Sequence, residues 1–352
     1  MNILNKKNLT AAFVALALIP STLLAWPWSK KNKTTASKKA PSIAVFIPGI
    51  MADSPTYAHV AEGVQAAVDE YNGKLTDKKK AVLLHIMEAG TNQSEWSSKL
   101  TALAATGKYD LIISSNPSLP ELAAPISAQF PKQKFIFLDA AHEDNKSMYT
   151  VSYNQRDQAY LSGYMAGLYS KTHKVGLIAA QEYPIMNKIL YPYFAKGAED
   201  AYAGTSCDFR IVGNWYDASK GAELADAMHG AGIDVILPIC GGASQGVISS
   251  AREHGMHIVW FDENGFKKAP GVIISCCMTK QDVAAKEATE QYLANGIPWG
   301  TVRTVGMADG YAEYFNKDPA YIEHVPEDIR IKMDDMYAKL RKGTFRLPQT
   351  LD

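Results

Sequence analysis

Two hydrophobic periods alternate along this chain from Ser42 onward. Short apolar runs rich in valine, isoleucine and phenylalanine are followed by longer stretches whose apolar residues recur at helical spacing. Strands that alternate with helices favour a parallel sheet with helices on both faces. We therefore predict an α/β fold built from parallel sheets.

The alternation runs through the chain twice. The first array predicts strands over residues 42–47, 81–87, 111–114 and 134–139 and helices over residues 57–71, 94–105 and 121–130. The second array predicts helices over residues 156–170, 191–203, 220–231 and 280–294, strands over residues 174–179, 208–213 and 271–276, and a strand–helix–strand unit over residues 234–262. In the helix over 156–170, small residues favour close packing on a sheet; these are Ala159, Gly163, Ala166 and Gly167.

Two similar arrays predict two lobes, since a chain of 352 residues exceeds the usual size of a single core. We assign residues 42–152 with about 278–303 to an N-terminal lobe, and residues 153–277 with about 304–345 to a C-terminal lobe.

The ends of the predicted strands mark a crevice between the lobes. In an open parallel sheet, ligands bind beyond the carboxyl ends of the strands. The candidates at such ends are Asn116, Asp139, the Gly241–Gly242 turn and Asp262. We expect them to face one ligand.

The first residues have the composition of a targeting segment. A basic start, an apolar run and a small-residue cleavage site make residues 1–25 typical of a signal peptide. An uncleaved membrane anchor is the alternative, although Pro20 interrupts the run. Residues 26–41 are polar and basic and predict a flexible linker. We expect an exported, periplasmic protein, free or membrane-tethered.

The net charge and the cysteine spacing each argue against one kind of function. The formal net charge is zero, which argues against nucleic-acid binding driven by phosphate neutralisation. The four cysteines, Cys207, Cys240, Cys276 and Cys277, match no zinc pattern. We favour buried thiols over a disulfide between Cys240 and Cys276. The histidines show no metal-binding spacing.

Several motifs, taken in order, resemble one known family. They are YDLIIS, FPKQKFIFLDA, YLSGYMAGLYSKTHKVGLIAA, KGAELADAMHGAGIDVILPICGGASQGVISSAREHG and IVWFDENG. Together they are similar to the basic-membrane-protein family, the nucleoside-receptor type of substrate-binding proteins for ATP-driven importers. The resemblance implies a type I periplasmic binding protein with two Rossmann-like lobes joined by hinge strands, permease and ATPase partners, and no catalysis. We expect no cofactor and no metal ion. We expect a monomer.

The resemblance also implies roles for particular residues. Asp262 matches the family acid that binds ribose hydroxyls, and Lys280 matches its basic partner. The Gly241–Gly242 turn matches one whose backbone N–H groups approach the sugar. Asp53 matches an acid of the first loop, and Tyr153 stands at a crossover position that the family usually fills with phenylalanine.

The first loop departs from the family pattern. Nucleoside receptors carry a D-K-S-F-N type run there, whereas this chain has DSPTY over residues 53–57, without the stacking phenylalanine and the base-reading asparagine. Aromatic faces bind planar rings by stacking, and the predicted crevice-edge aromatics are Tyr57, Tyr153, Tyr183, Trp215 and Tyr216. These features favour riboflavin, the ligand of another branch of the family, over a purine nucleoside, which stays the alternative.

The candidate acids have two interpretations each. A carboxylate facing an ammonium can bind adjacent hydroxyls, so Asp262 and Lys280 either hold a polyol or form a plain ion pair between lobes. Asp139 and Asp53 either bind ring N–H groups or serve as helix caps or solvated loop residues.

An enzyme is the competing hypothesis. Residues 242–246 read GASQG and fit the G-x-S-x-G nucleophile elbow, with Asp262 and His324 following in hydrolase order. An exported serine esterase using Ser244 is therefore an alternative, although a glycine-rich turn at a strand end produces the same match. A sensory ligand-binding domain of the same fold is a third hypothesis. The chain has no dinucleotide or P-loop motif.

Overall fold

The computed structural model describes residues 40–351, apart from the side chain of Asp53. The predicted signal peptide and nearly all of the predicted linker lie outside the described residues. Across the described part of the chain, no helix is both long enough and apolar enough to span a membrane.

Strands and helices alternate along the described residues, as the hydrophobic pattern predicts. In chain order the strands are β1 (Ser42–Ile47), β2 (Leu83–Glu88), β3 (Leu111–Ser115), β4 (Lys134–Leu138), β5 (Met148–Tyr153), β6 (Lys174–Ala179), β7 (Ser206–Ile211), β8 (Val235–Ile239), β9 (His257–Phe261), β10 (Ile273–Thr279), β11 (Val302–Val305) and β12 (Ala312–Tyr314). The α-helices are α1 (Pro55–Gly73), α2 (Trp96–Ala105), α3 (Leu119–Gln129), α4 (Arg156–Tyr169), α5 (Tyr191–Ala201), α6 (Ala218–Gly230), α7 (Ser244–His254), α8 (Gln281–Leu293), α9 (Pro319–His324) and α10 (Glu327–Lys342).

The strands form two separate sheets, and each sheet is the centre of one lobe. Within the described residues each sheet has 6 strands, in the orders β11-β5-β4-β3-β1-β2 and β12-β10-β9-β8-β6-β7. Neighbouring strands are parallel except β10 and β12. The predicted α/β class with two parallel-sheet lobes is confirmed.

Strand β1 shows how the first sheet is covered on both faces. Ile43, Val45 and Ile47 contribute to an apolar cluster with residues of α1 and α8. Ala44 and Phe46, which alternate with them, contribute to a second cluster with residues of α2 and α3. A strand that is buried on both faces requires an apolar residue at every position, which is why β1 is a continuous apolar run.

The small residues of α4 allow a close helix crossing. A Cβ atom added at Gly163 would lie 1.9 Å from the carbonyl oxygen of Phe194, and one added at Gly167 would lie 2.3 Å from that of Ala198. Both carbonyl groups belong to α5. The predicted close packing therefore occurs, but these two glycines meet a helix rather than the sheet.

The chain crosses between the lobes three times within residues 40–351: after β5, between β10 and α8, and between β11 and β12. The crossings lie side by side, since the backbone N–H of Asn154 donates to Val305 at 2.6 Å and that of Lys280 donates to Tyr311 at 2.8 Å. They leave from the β5–β11 edge of the first sheet and the β10–β12 edge of the second. The opposite edges, β1–β2 and β6–β7, have no backbone connection between lobes in this range.

Candidate functional site

The carboxyl ends of parallel strands from both lobes meet at one cleft. Its cavity volume is about 100 Å³. The first lobe contributes residues 54–57 and 115–117 and Asp139 to its lining. The second contributes Gln155, Tyr183, Leu190, Trp215, Tyr216, residues 238–242, Ser244, Gln245, residues 260–263 and Lys268. Of the residues singled out from the sequence, the cleft brings together Tyr57, Asn116, Asp139, Tyr183, Trp215, Tyr216, Gly241, Gly242, Ser244 and Asp262.

Tyr57 and Asn116 form a fixed pair on the first-lobe wall. The Asn116 side-chain amide donates from Nδ2 to the Tyr57 hydroxyl oxygen at 3.1 Å. Its Oδ1 accepts from the backbone N–H of Ser118 at 2.9 Å, which sets the orientation of the amide. Burial raises the pKa of Tyr57 far above its ordinary value, so the hydroxyl keeps its proton and can donate it to a ligand.

Asp139 and Asp262 occupy equivalent places in the two lobes. Asp139 follows β4 and Asp262 follows β9, and both adopt the left-handed conformation, with φ of 51° and 71°. Aspartate is one of the few residues besides glycine that visits this conformation routinely. Gln155 donates from Nε2 to Asp139 Oδ1 at 3.1 Å. The backbone N–H of Asp262 donates to the carbonyl oxygen of Cys277 at 3.0 Å.

Enclosure in the cleft raises the pKa of both acids. Desolvation raises the pKa of Asp139 to about 6, while the hydrogen bond from Gln155 opposes the shift. Desolvation is also the main cause that raises the pKa of Asp262 to about 8, followed by repulsion from Asp139 and Glu263. A ligand that donates hydrogen bonds to these carboxylates would favour their charged forms.

The glycine turn positions an aromatic wall in the second lobe. The rings of Tyr183 and Trp215 have centroids 6.4 Å apart and are tilted by 35°. Gly241 has a φ of 57°, and a Cβ atom added there would lie 2.9 Å from the carbonyl oxygen of Trp215. That oxygen accepts a hydrogen bond from the backbone N–H of Ala243 at 3.1 Å. The turn before α7 therefore holds Trp215 against the cleft.

Several lining residues were not singled out from the sequence. Trp260 donates from Nε1 to Glu263 Oε1 at 3.3 Å, and the Lys268 ammonium lies 3.1 Å from the same oxygen. Gln155, described above, is another. Trp260 and Glu263 flank Asp262 within the IVWFDENG motif, and this adjacency is the one signal that could have identified them.

The structure does not bring Tyr153 and Lys280 into the cleft lining. Tyr153 ends β5, is buried, and donates from its hydroxyl to Gln281 Oε1 at 3.3 Å. The Lys280 ammonium lies 2.8 Å from Glu313 Oε2, so its ion-pair partner is Glu313 rather than Asp262. Both residues belong to the crossovers. Asp53 lies in a short 3-10 turn next to the first-lobe wall, and its side chain is outside the description.

The side chain of Ser244 contacts a thiol rather than the histidine of the esterase hypothesis. Ser244 Oγ lies 3.2 Å from the Cys240 Sγ, and burial raises the pKa of that thiol to about 12. His324, the base of the esterase hypothesis, ends α9 and is not among the described residues that line the cleft. All four cysteines are free thiols; Cys240, Cys276 and Cys277 are buried, as expected, whereas Cys207 is half-buried. Residues 40–351 contain no group of three histidine, cysteine or acidic side chains that could hold a metal ion.

Known proteins resemble most of this chain. A family model described as ABC transporter substrate-binding protein PnrA-like matches residues 40–340. Basic membrane protein A1 of Borrelia garinii is 25% identical over 326 residues, which are 91% of this chain and 92% of that protein. The ABC transporter nucleoside-binding protein BmpA of Lactococcus lactis is 30% identical over 144 residues, 41% of each protein.

A solved structure shows the same fold. The crystal structure of an ABC transporter solute-binding protein from Aeropyrum pernix superposes with a TM-score of 0.70 at 17% identity, over 89% of this chain and 94% of that one. The predicted type I periplasmic binding protein architecture is confirmed.

Proposed function

Because the chain belongs to the PnrA-like family of ABC transporter substrate-binding proteins, we propose that it captures riboflavin between its two lobes. The ligand class follows from the walls of the cleft. Aromatic side chains suit a flat heteroaromatic ring, and the carboxylates suit the hydroxyls of a polyol tail.

The observation that carries this proposal is the placement of Asp139 and Asp262. Each lobe contributes one of these acids to the same cleft, and enclosure raises the pKa of each. Closure without a ligand therefore brings together two poorly solvated acceptors, whereas a ligand with several O–H and N–H donors satisfies both. Such a ligand binds the closed form better than the open form, which is the condition for ligand-driven closure.

The charge of the cleft favours a ligand without phosphate. Asp139, Asp262 and Glu263 are all acidic, and Lys268 is the one lysine or arginine among the described lining residues. Its ammonium is already engaged with Glu263 at 3.1 Å. The carboxylates of the cleft would repel a phosphate group, which is also negative. We therefore expect riboflavin to bind far better than its monophosphate.

A purine nucleoside is the second candidate for the same cleft. The Lactococcus lactis relative is named a nucleoside-binding protein, and a nucleoside also pairs a flat ring with hydroxyls. The first-loop run DSPTY favours riboflavin, since the phenylalanine and asparagine of the D-K-S-F-N run are replaced there. Tyr57, which ends this run, lines the cleft.

Fluorescence titration separates these ligands. Purified protein, stripped of bound small molecules by unfolding and refolding, is titrated with riboflavin, riboflavin monophosphate and inosine, the last by competition. Quenched flavin emission that inosine does not relieve supports riboflavin. Unchanged flavin emission together with inosine binding by calorimetry would replace riboflavin with a nucleoside.

Family membership also suggests the partners of the protein, its hinge motion and its location in the cell. The exported chain would deliver its ligand to a permease driven by an ATPase. The three crossovers would serve as the hinge between an N-terminal lobe (42–152 with about 278–303) and a C-terminal lobe (153–277 with about 304–345). The ligand would be bound by a monomer, in the periplasm or tethered to the membrane.

A further inference from the structure

The lobes also touch on the side remote from the crossovers. The segments after β1 and β2 carry Pro48 and Gln93, and the segments after β6 and β7 carry Gln181 and Tyr216. These strands form the edges opposite the crossovers in both sheets, so contacts there separate furthest when the lobes rotate about the crossovers. We propose that they form a latch that holds the cleft closed and slows ligand release. This inference rests on the proposed capture of a ligand by lobe closure.

Tyr216 is the first part of the latch. Its hydroxyl donates to the carbonyl oxygen of Pro48 at 3.2 Å, across the two lobes. The next residue, Gly49, leaves the necessary room, because a Cβ atom there would lie 1.9 Å from the Tyr216 hydroxyl oxygen. Tyr216 also packs against the first-lobe apolar cluster that contains Phe46 and Trp96. The Tyr216 side chain of the second lobe therefore packs against the first lobe. It occupies space that a side chain at position 49 would fill.

Gln93 and Gln181 are the second part. The side-chain amide of Gln93 donates to Gln181 Oε1 at 3.3 Å, and that of Gln181 donates back to Gln93 Oε1 at 3.1 Å. Both side chains are neutral and half-buried. A neutral hydrogen bond shifts an equilibrium by roughly two- to tenfold. The latch is therefore weak enough to open for delivery and strong enough to prolong closure.

A charge-swap cycle at the glutamine pair tests this role, since neither residue lines the cleft. The variants are Gln93→Glu with Gln181→Glu, which places like charges together, and Gln93→Glu with Gln181→Lys, which restores attraction. Gln129→Glu, at an exposed position on α3, controls for added charge. Small-angle X-ray scattering of ligand-free protein reports the closed fraction, and stopped-flow fluorescence reports riboflavin association and dissociation.

We expect the doubly acidic pair to increase the radius of gyration and to speed riboflavin dissociation by about tenfold or more at low salt. Association should change little, and the Glu–Lys pair and the Gln129→Glu control should resemble wild type. If the glutamine pair had only a structural role, the doubly acidic variant would lose thermal stability, but riboflavin dissociation would not speed up relative to association.

The scattering result decides the inference even if riboflavin does not bind. An unchanged radius of gyration in the doubly acidic variant overturns the latch. An increased radius that the Glu–Lys pair reverses supports it. Failure of wild-type protein to bind riboflavin would instead contradict the proposed ligand and leave the scattering comparison intact.

Discussion

Asp139 and Asp262 approach the cleft from opposite lobes, and each stands in a left-handed turn directly after the last residue of its strand. The two lobes thus supply the same chemical group from the same structural position. Each lobe brings its carboxyl group out of water as the lobes close. Lobe closure should therefore be coupled to the protonation of these two carboxyl groups.

The ligand-free protein should lose stability as pH rises from about 5 to 8. Enclosure raises the pKa of Asp139 to about 6 and of Asp262 to about 8. An acid with a raised pKa binds its proton more tightly in the folded protein. Its stabilising contribution is therefore full below its unfolded pKa of about 4 and is lost as pH rises through its folded pKa. Urea unfolding at several pH values measures the change.

Asp262→Asn is the matched variant for this pH dependence. Asparagine tolerates the left-handed φ of 71° and cannot ionise. The free energy of unfolding of the variant should therefore vary less between pH 5 and 8 than that of wild type. Parallel curves for the two proteins would show that Asp262 does not titrate in this window.

Gly241→Ala should weaken ligand binding as well as stability. The left-handed φ of 57° costs an alanine about 1–2 kcal/mol, and the added Cβ would push Trp215 from the cleft wall. Gly255→Ala is the control, because Gly255 has a φ of 66° and open space around its added Cβ. Both variants should lose stability in urea unfolding, Gly241→Ala at least as much as Gly255→Ala, but only Gly241→Ala should raise the riboflavin Kd. Equal Kd values in the two variants would exclude the turn from binding.

Gly163→Ala should destabilise the second lobe by several kcal/mol. The added Cβ would lie 1.9 Å from the carbonyl oxygen of Phe194, so α4 and α5 must separate or distort. Gly73→Ala, at the end of α1, meets nothing within 4 Å and should be neutral or stabilise by about 0.5–1 kcal/mol. Thermal unfolding by circular dichroism distinguishes them, and a Gly163→Ala protein as stable as wild type would refute the close crossing.

Much of the fold could be predicted because buried parallel strands are continuous apolar runs. The predicted ranges 42–47 and 174–179 coincide with β1 and β6. Strand β5 was not predicted, and the boundary between the lobes was placed at its last two residues, 152 and 153. Thr150 and Ser152 interrupt its apolar residues. Thr150 is fully buried, and its hydroxyl donates to the His142 carbonyl oxygen at 3.3 Å. That partner comes from tertiary structure, which the sequence pattern does not display.

The C-terminal helices were not predicted for a related reason. Helix α10 is highly charged, and its fully buried side chains are Met333 and Leu340. So few buried positions give little apolar periodicity.

The candidate site could also be predicted only in part. Asp262 and the glycine turn were predicted to face the cleft because strand ends in parallel sheets converge. Lys280 was paired with Asp262 in the prediction, whereas strand β12, three residues long, pairs with β10 and places Glu313 beside the lysine. An antiparallel strand this short leaves no recognisable sequence pattern, so the ion pair could not be foreseen.

Isothermal titration of riboflavin into wild type, Asp262→Asn and Glu253→Gln tests the central claim most directly. Glu253 is exposed on α7 and does not line the cleft, so its variant controls for the loss of one acid. A hydrogen bond to a charged group contributes about 1.5–3 kcal/mol, which corresponds to roughly a tenfold to hundredfold change in Kd. The account predicts that loss for Asp262→Asn and wild-type affinity for Glu253→Gln. Riboflavin binding of equal strength in all three proteins would contradict it.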